Sequence, residues 1–538
     1  MKFFTPLLFL LVLSSCDKQE KVDLLIVNAN VYTVDDKFSI ADAMAVKEGK
    51  IIAIGSSEEL KTKYATLKTL DVEGKTILPG LIDAHCHFFG LGLQQQKVDL
   101  TGTKSFDEVL QRIVDFQKEK KVSYITGRGW DQNDWEIREF PTKEKLDELF
   151  PETPVSIRRI DGHALLANQA AIDLAGVTIN TPFSGGDILK KGGKLTGIFI
   201  DKPMGLIDSK IPQPSTKEAA QALKDAEKIC FDLGLTTVND AGLSREAIEL
   251  IDSLQKTGEL HIKVYAMVSA SPQNLDYYLN NGIIKTDRLH VRSFKFYGDG
   301  ALGSRGAAMR SPYSDSPGHF GALVNDLETL RTTAKRIADS NFQMNIHAIG
   351  DSANHLILQT YKEVLKDKKD RRWKIEHAQI ISPEDFKLFD DIIPSIQPTH
   401  ATSDMYWAED RVGPDRIKGG YAYKDLLNQY GKVALGTDFP VEKVNPMLTF
   451  YAAVARKDLD NYPKGGFQME NALSREETLK GMTIWAAYSN FEENEKGSLE
   501  IGKSADFVIL DQDIMEIGIE EVPMIHVLET YVNGEKVK

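Results

Sequence analysis

The chain has 538 residues, of which 42% are hydrophobic, 27% charged and 9% aromatic. This composition excludes collagen-like, coiled-coil and disordered chains. Its 79 acidic against 65 basic residues give a net charge of −14, which argues against a nucleic-acid partner.

At ~150 residues per domain, the length predicts about three domains or one large barrel with additions. Cys16, Cys86 and Cys230 are the only cysteines, so the fold has no disulfide framework and rests on its core. Residues 1–20 read as an address. Met1-Lys2 is followed by the apolar run Phe3 to Leu13 and then by Ser14-Ser15-Cys16-Asp17, the order of a secretory signal. The run is shorter than the ~20 apolar residues that span a bilayer. Leu13-Ser14-Ser15-Cys16 resembles a bacterial lipobox. The resemblance implies lipidation of Cys16, a polar tether over Lys18 to Lys21, and an exported protein held by its lipid at a periplasmic or cell-surface face. The alternative is a plain signal peptide with an incidental cysteine.

Short β-like runs fill residues 21–77: Leu24 to Val27, Ala43 to Val46 and Ile51 to Ile54, each bounded by turn residues. The pattern returns in 494–538, with Ala505 to Leu510 and with Val527 to Val532 closed by Asn533-Gly534, a strong turn signal. One small β-sandwich built from both termini is expected. Between them, residues 78–493 alternate apolar runs with amphipathic stretches, the rhythm of βα units. Candidate strands end near His87, Asp240, Ala270, Gly298, His347, His377, Gln397 and Asp438. Eight such strands predict an α/β fold closed as a TIM-like (β/α)₈ barrel. The first two are too far apart for one helix, so an insertion is expected over about 97–215. Its loops include Gly127 to Asp131 and Ser184-Gly185-Gly186.

Leu78 to His87 holds the sharpest signal. Alternation along a strand puts His85 and His87 on one face and Cys86 on the other, facing the helical jacket. Two imidazoles there form a ready metal pair. Further candidate strands end in His347, His377 and Asp438, and Ser293 to Tyr297 carries Lys295 inside a β-prone run. A barrel gathers its strand C-termini at one mouth, where its chemistry sits. Singly, each residue has a plainer reading: a hydrogen-bonded core histidine, an aspartate capping a helix, or a lysine paired with Asp299 or another carboxylate.

The order His-x-His, Lys, His, His, Asp on strands one, four, five, six and eight resembles the amidohydrolase superfamily. The phrases Gly127 to Asp131, Asp161 to Ala164, Gly298 to Arg305, Asn345 to Asp351 and Gly436 to Pro440 resemble its YtcJ-like branch, which includes N-substituted formamide deformylases. The resemblance implies two divalent ions, zinc by ligand type, with iron, manganese or cobalt also fitting. It implies a Lys295 carboxylated by CO₂ to a bridging carbamate, because an ammonium has no lone pair to offer a metal. His85, His87 and Asp438 would hold the more buried ion, and His347 and His377 the more exposed one. Asp438 would also shuttle the proton in hydrolysis of a small amide-type C–N bond.

The resemblance also implies a catalytic His163 that reaches the mouth, contacts substrate and stabilises the transition state; the alternative is a loop histidine with a structural hydrogen bond. Trp130 and Asp131, Asp299 and Arg305, and Gln397 and His400 are candidate substrate contacts. The alternatives are a single-metal hydrolase or deaminase with unmodified Lys295, and a catalytically silent ligand-binding protein. Substrate identity and oligomeric state have no signature in the sequence.

Overall fold

The apolar runs of the middle region resolve into eight parallel strands: β1 (Leu81–Cys86), β2 (Leu235–Leu243), β3 (Lys263–Ser269), β4 (Leu289–Tyr297), β5 (Gln343–Ala348), β6 (Lys374–His377), β7 (Ile393–Ile396) and β8 (Ala434–Leu435). They pair in that order. The structure is a computed structural model that describes residues 19–183 and 186–538. The leader with Cys16, and Ser184-Gly185 of the insertion loop, lie outside the described residues. Among the described residues, no helix is long and apolar enough to cross a membrane.

The ring closes just beyond β8, where Asp438 N–H donates to His85 C=O and His87 N–H donates to Phe439 C=O, each at 2.8 Å. The fold is therefore a TIM-like barrel, as the strand count predicts. Its eighth strand is short, ending at Leu435 rather than at Asp438.

The helices pack outside the barrel by their apolar stripes. Helix Thr216–Asp232 starts at a capping box formed by Ser215 and Glu218, and buries Ala219, Ala222, Leu223, Ala226, Cys230 and Phe231. That spacing is the helical repeat of one face, and each large apolar side chain so buried contributes ~1.5–3 kcal/mol. Helix Phe88–Gln94 lies against it so closely that a Cβ on Gly92 would come within 2.1 Å of Ala222 C=O. Glycine at 92 lets the two backbones meet and seats the turn that carries His87.

Four further sheets accompany the barrel among the described residues. Strands within 98–201 form a six-stranded sheet with its own apolar core around Trp130, Ile157 and Leu166. Strand Thr76–Pro79 pairs with Phe507–Leu510, so one sheet combines residues from both ends of the chain. Glu20–Lys21 pair in parallel with Tyr64–Ala65, so the stretch read as a tether ends in a strand.

Candidate metal centre

His85 ends up fully buried inside the barrel, while Cys86 faces the opposite way into the apolar core, its Sγ 3.5 Å from Asn239 C=O. His87, one residue past β1, has Nδ1 3.0 Å from Ala241 C=O. The two Nε2 atoms converge on Asp438 Oδ1, at 3.6 Å from His85 and 3.2 Å from His87.

Asp438 is brought there by a strap between β1 and the segment after β8. Asp83 accepts from Thr437 Oγ1 at 2.7 Å, and from Thr437 N–H and His85 N–H at 3.1 Å each. Gly436 is required in this strap, because a Cβ would sit 2.4 Å from His85 N. Asp438 itself adopts the left-handed region, at φ 63°. That conformation is costly for a non-glycine residue and persists only where its surroundings enforce it.

On its other oxygen, Asp438 meets His400, with Oδ2 3.2 Å from Nε2; His400 Nδ1 lies 3.3 Å from Glu442. His377 follows with φ 75°, its ring centroid 5.0 Å from His85, 4.5 Å from His347 and 5.8 Å from His400. Lys295, buried on β4, places Nζ 3.2 Å from His85 Nε2. Together these side chains line a cavity of about 400 Å³ whose walls include Tyr297, Leu302, Ile349 and Trp407.

The electrostatics favour ligation. Burial, then the nearby Lys295 and His85, push His347 down to about 3, and burial and His347 push His377 well below its usual range. Both imidazoles are therefore neutral at ordinary pH, with lone pairs available. Burial alone would raise the Asp438 carboxyl, but His400 and His87 overcome it and hold Asp438 ionised well below the usual carboxylate range. His400 is the exception: burial would lower it, yet Asp438 and Glu442 raise it to about 10, so it stands as a charged donor to the two carboxylates rather than as a lone-pair ligand.

Two sets of donor atoms come together within 4.8 Å: His85, His87 and Asp438; and His377, His400 and Asp438. His347 Nε2, His377 Nδ1, Asp438 Oδ1 and Glu376 Oε1 are buried with no hydrogen-bond partner. Buried polar atoms are normally satisfied. Four orphans around imidazole and carboxylate donors fit a divalent cation.

The structure thus brings His85, His87, Lys295, His347, His377 and Asp438 to one mouth. It also draws in His400, expected only to face substrate. His347 lies outside both close sets, its Nε2 3.7 Å from Asp299.

The expected substrate contacts mostly lie elsewhere. Asp299 is buried, its oxygens taken by the N–H groups of Ala308, Ile349 and Gly350. Arg305 pairs with Asp315 at 2.8 Å. Gln397 is buried and donates to Ser395 C=O at 3.3 Å. Trp130 sits in the core of the inserted sheet and donates to Ile157 C=O, and Asp131 pairs with Arg159. His163 is exposed, its N–H held by Asp161. None of these six lines the cavity. Each follows a strand or sits in a loop named for its likeness, and neither property fixes where a side chain points.

Glu376 is the residue that sequence reasoning missed. It is fully buried with Oε2 2.6 Å from His85 Nδ1. Burial would raise it, but His85, Lys374 and Lys295 hold it down at about 2.

Relatives extend along nearly the whole chain. Protein LONG AFTER FAR-RED 3 of Arabidopsis thaliana is 34% identical, covering 96% of this chain and 91% of its own length. The putative amidohydrolase YtcJ of Bacillus subtilis is 30% identical over 94% and 97%. The N-substituted formamide deformylase of Arthrobacter pascens is 27% identical over 95% and 97%. Among solved structures, an uncharacterized metal-dependent hydrolase of Pyrococcus horikoshii superposes with a TM-score of 0.77 at 29% identity, covering 92% of this chain and 99% of that one. With the model of the amidohydrolase family matching residues 68–538, the protein belongs to the amidohydrolase family and is a hydrolase.

Proposed function

We propose that the protein is a metal-dependent hydrolase that cleaves an amide-type C–N bond of a small molecule. The observation that carries this reading is the pair of donor sets sharing Asp438, buried beside polar atoms with no partner. The relative named N-substituted formamide deformylase supports the bond class.

His85, His87 and Asp438 would hold one divalent ion, zinc by ligand type. His377 and His347, the two neutral imidazoles, would hold a second, with Lys295 as its carbamate a further ligand. When bound, such ions supply Lewis acidity that polarises a carbonyl and acidifies water. The chain's own groups do the rest. Asp438, ionised and fixed by the strap to β1, takes a proton from the attacking water and returns it to the leaving nitrogen. Leu302, Ile349 and Trp407 exclude bulk water and seat the apolar part of the substrate.

A second reading has its own observation. Against the cost of burial, Glu376 and Asp438 both favour the ammonium form of Lys295, which suits a site with one ion. Elemental analysis of the purified protein and of Lys295→Ala separates them. Two equivalents of metal in the parent, falling in the variant, support the bridged pair. One equivalent in both supports the single ion. No metal in the parent, and none regained with zinc and bicarbonate, overturns the metal-dependent reading.

A further inference from the structure

Glu376 sits where strand geometry alone would not put it. Successive side chains on a strand leave opposite faces, so Glu376 and His377 should point apart. At φ 75° His377 breaks the strand, and both residues reach His85: Glu376 by a 2.6 Å contact, His377 by its ring at 5.0 Å. Among the described residues, His85 is the only side-chain hydrogen-bond partner of Glu376; Oε1 has none, and neighbouring Lys374 donates instead to Asn490 at 3.1 Å. A carboxylate with a single partner is an expensive group to bury. An apolar residue of the same size would fill the space at lower cost, so packing does not account for it.

We infer that Glu376 is a positioning residue that accepts the Nδ1–H of His85 and so leaves the lone pair of Nε2 facing Asp438 and Lys295. The imidazole has one proton to place, and a carboxylate at Nδ1 decides where it goes. The same contact orients the ring, since His85 comes from β1 and Glu376 from β6, across the barrel. The inference rests on the proposed metal site, because the freed lone pair would serve a cation.

The test uses the full chain with cobalt(II) as probe, titrated against a chelator, in wild type, Glu376→Gln and Glu376→Leu. The amide oxygen of glutamine still accepts Nδ1–H, whereas leucine accepts nothing. Expected is a ~10–100-fold weaker cobalt affinity in Glu376→Leu, largely recovered in Glu376→Gln, with metal-free melting of the leucine variant near that of wild type. Equal affinity and an unchanged cobalt spectrum in all three overturn the inference, as does equal loss in both variants. The ¹⁵N shifts of His85 in metal-free wild type give an answer that needs no variant to fold: the Nδ1–H tautomer supports the assignment and the Nε2–H tautomer overturns it. Wild type that binds no cobalt removes the metal reading, and the tautomer then still decides the Glu376–His85 bond by itself.

Discussion

At the end of the barrel where the strands begin, Glu492 lies between Lys285 and Lys496, and Lys263 reaches Asp506 at 2.6 Å and Asn533 at 2.7 Å. At the end where they finish, His347, His377, Glu376 and Asp438 carry buried atoms with no partner. Both regions bury charge, but the first matches cation to anion inside the chain and ties residues 492–533 to the barrel. The second leaves donors unmatched around a cavity. Buried charge that is paired internally holds elements together, whereas buried charge left open costs stability and is kept for something the chain does not itself supply.

Substitutions at the two ends should therefore fail differently. The largest effect is expected for Asp438→Asn, which should lower turnover of a responsive amide by ~10²–10⁴-fold with the far-UV circular dichroism spectrum unchanged. A variant with wild-type turnover would remove Asp438 from the chemistry. At the other end, Glu492→Ala strands the buried Lys496 and leaves the exposed Lys285 with Glu495 alone, and should cost ~3–5 kcal/mol by denaturant titration, with the same metal content per folded molecule. Metal loss without loss of stability would erase the distinction between the two ends.

The smallest effect concerns pH. His347 is held at about 3 in the fold against 6.5 for the free side chain, so between those values the unfolded chain binds more protons. Stability from this group is present above pH 6.5 and is lost as pH falls towards 3, with a slope of at most ~1.4 kcal/mol per pH unit. Asp299, raised to about 7 by burial, works in the opposite direction over part of that range. The measurement is therefore the difference between metal-free wild type and His347→Gln, and the variant should show the shallower acid-side decline. Parallel curves would contradict the burial assigned to His347.

Much of this arrangement was legible in the sequence because it follows simple periodicities. Alternation in one strand paired His85 with His87 and turned Cys86 outward. The spacing of apolar runs located eight strand ends, and with them Lys295, His347, His377 and Asp438. What escaped depends on direction rather than position. Glu376 was hidden because alternation sets it opposite His377, and only the left-handed backbone of His377 lets both residues reach His85. His400 enters from helix Pro398–Asp404, past the end of β7, and its reach to Asp438 depends on how that helix tilts. Asp299 and Arg305 follow a strand end as Asp438 does, yet local N–H groups and Asp315 claim them. Trp130 serves a separate core.

The strap between Asp83 and Thr437 also bears on how the molecule is made. Its partners lie 354 residues apart, and closing so large a loop carries an entropic cost that grows as the logarithm of its length. Contacts of such long range form late, after local βα units have assembled. A nascent chain still lacking β8 carries His85 and His87 but no Asp438, the residue common to both donor sets. Both donor sets should then be complete only at the end of folding, a check on completeness built into the order of the chain.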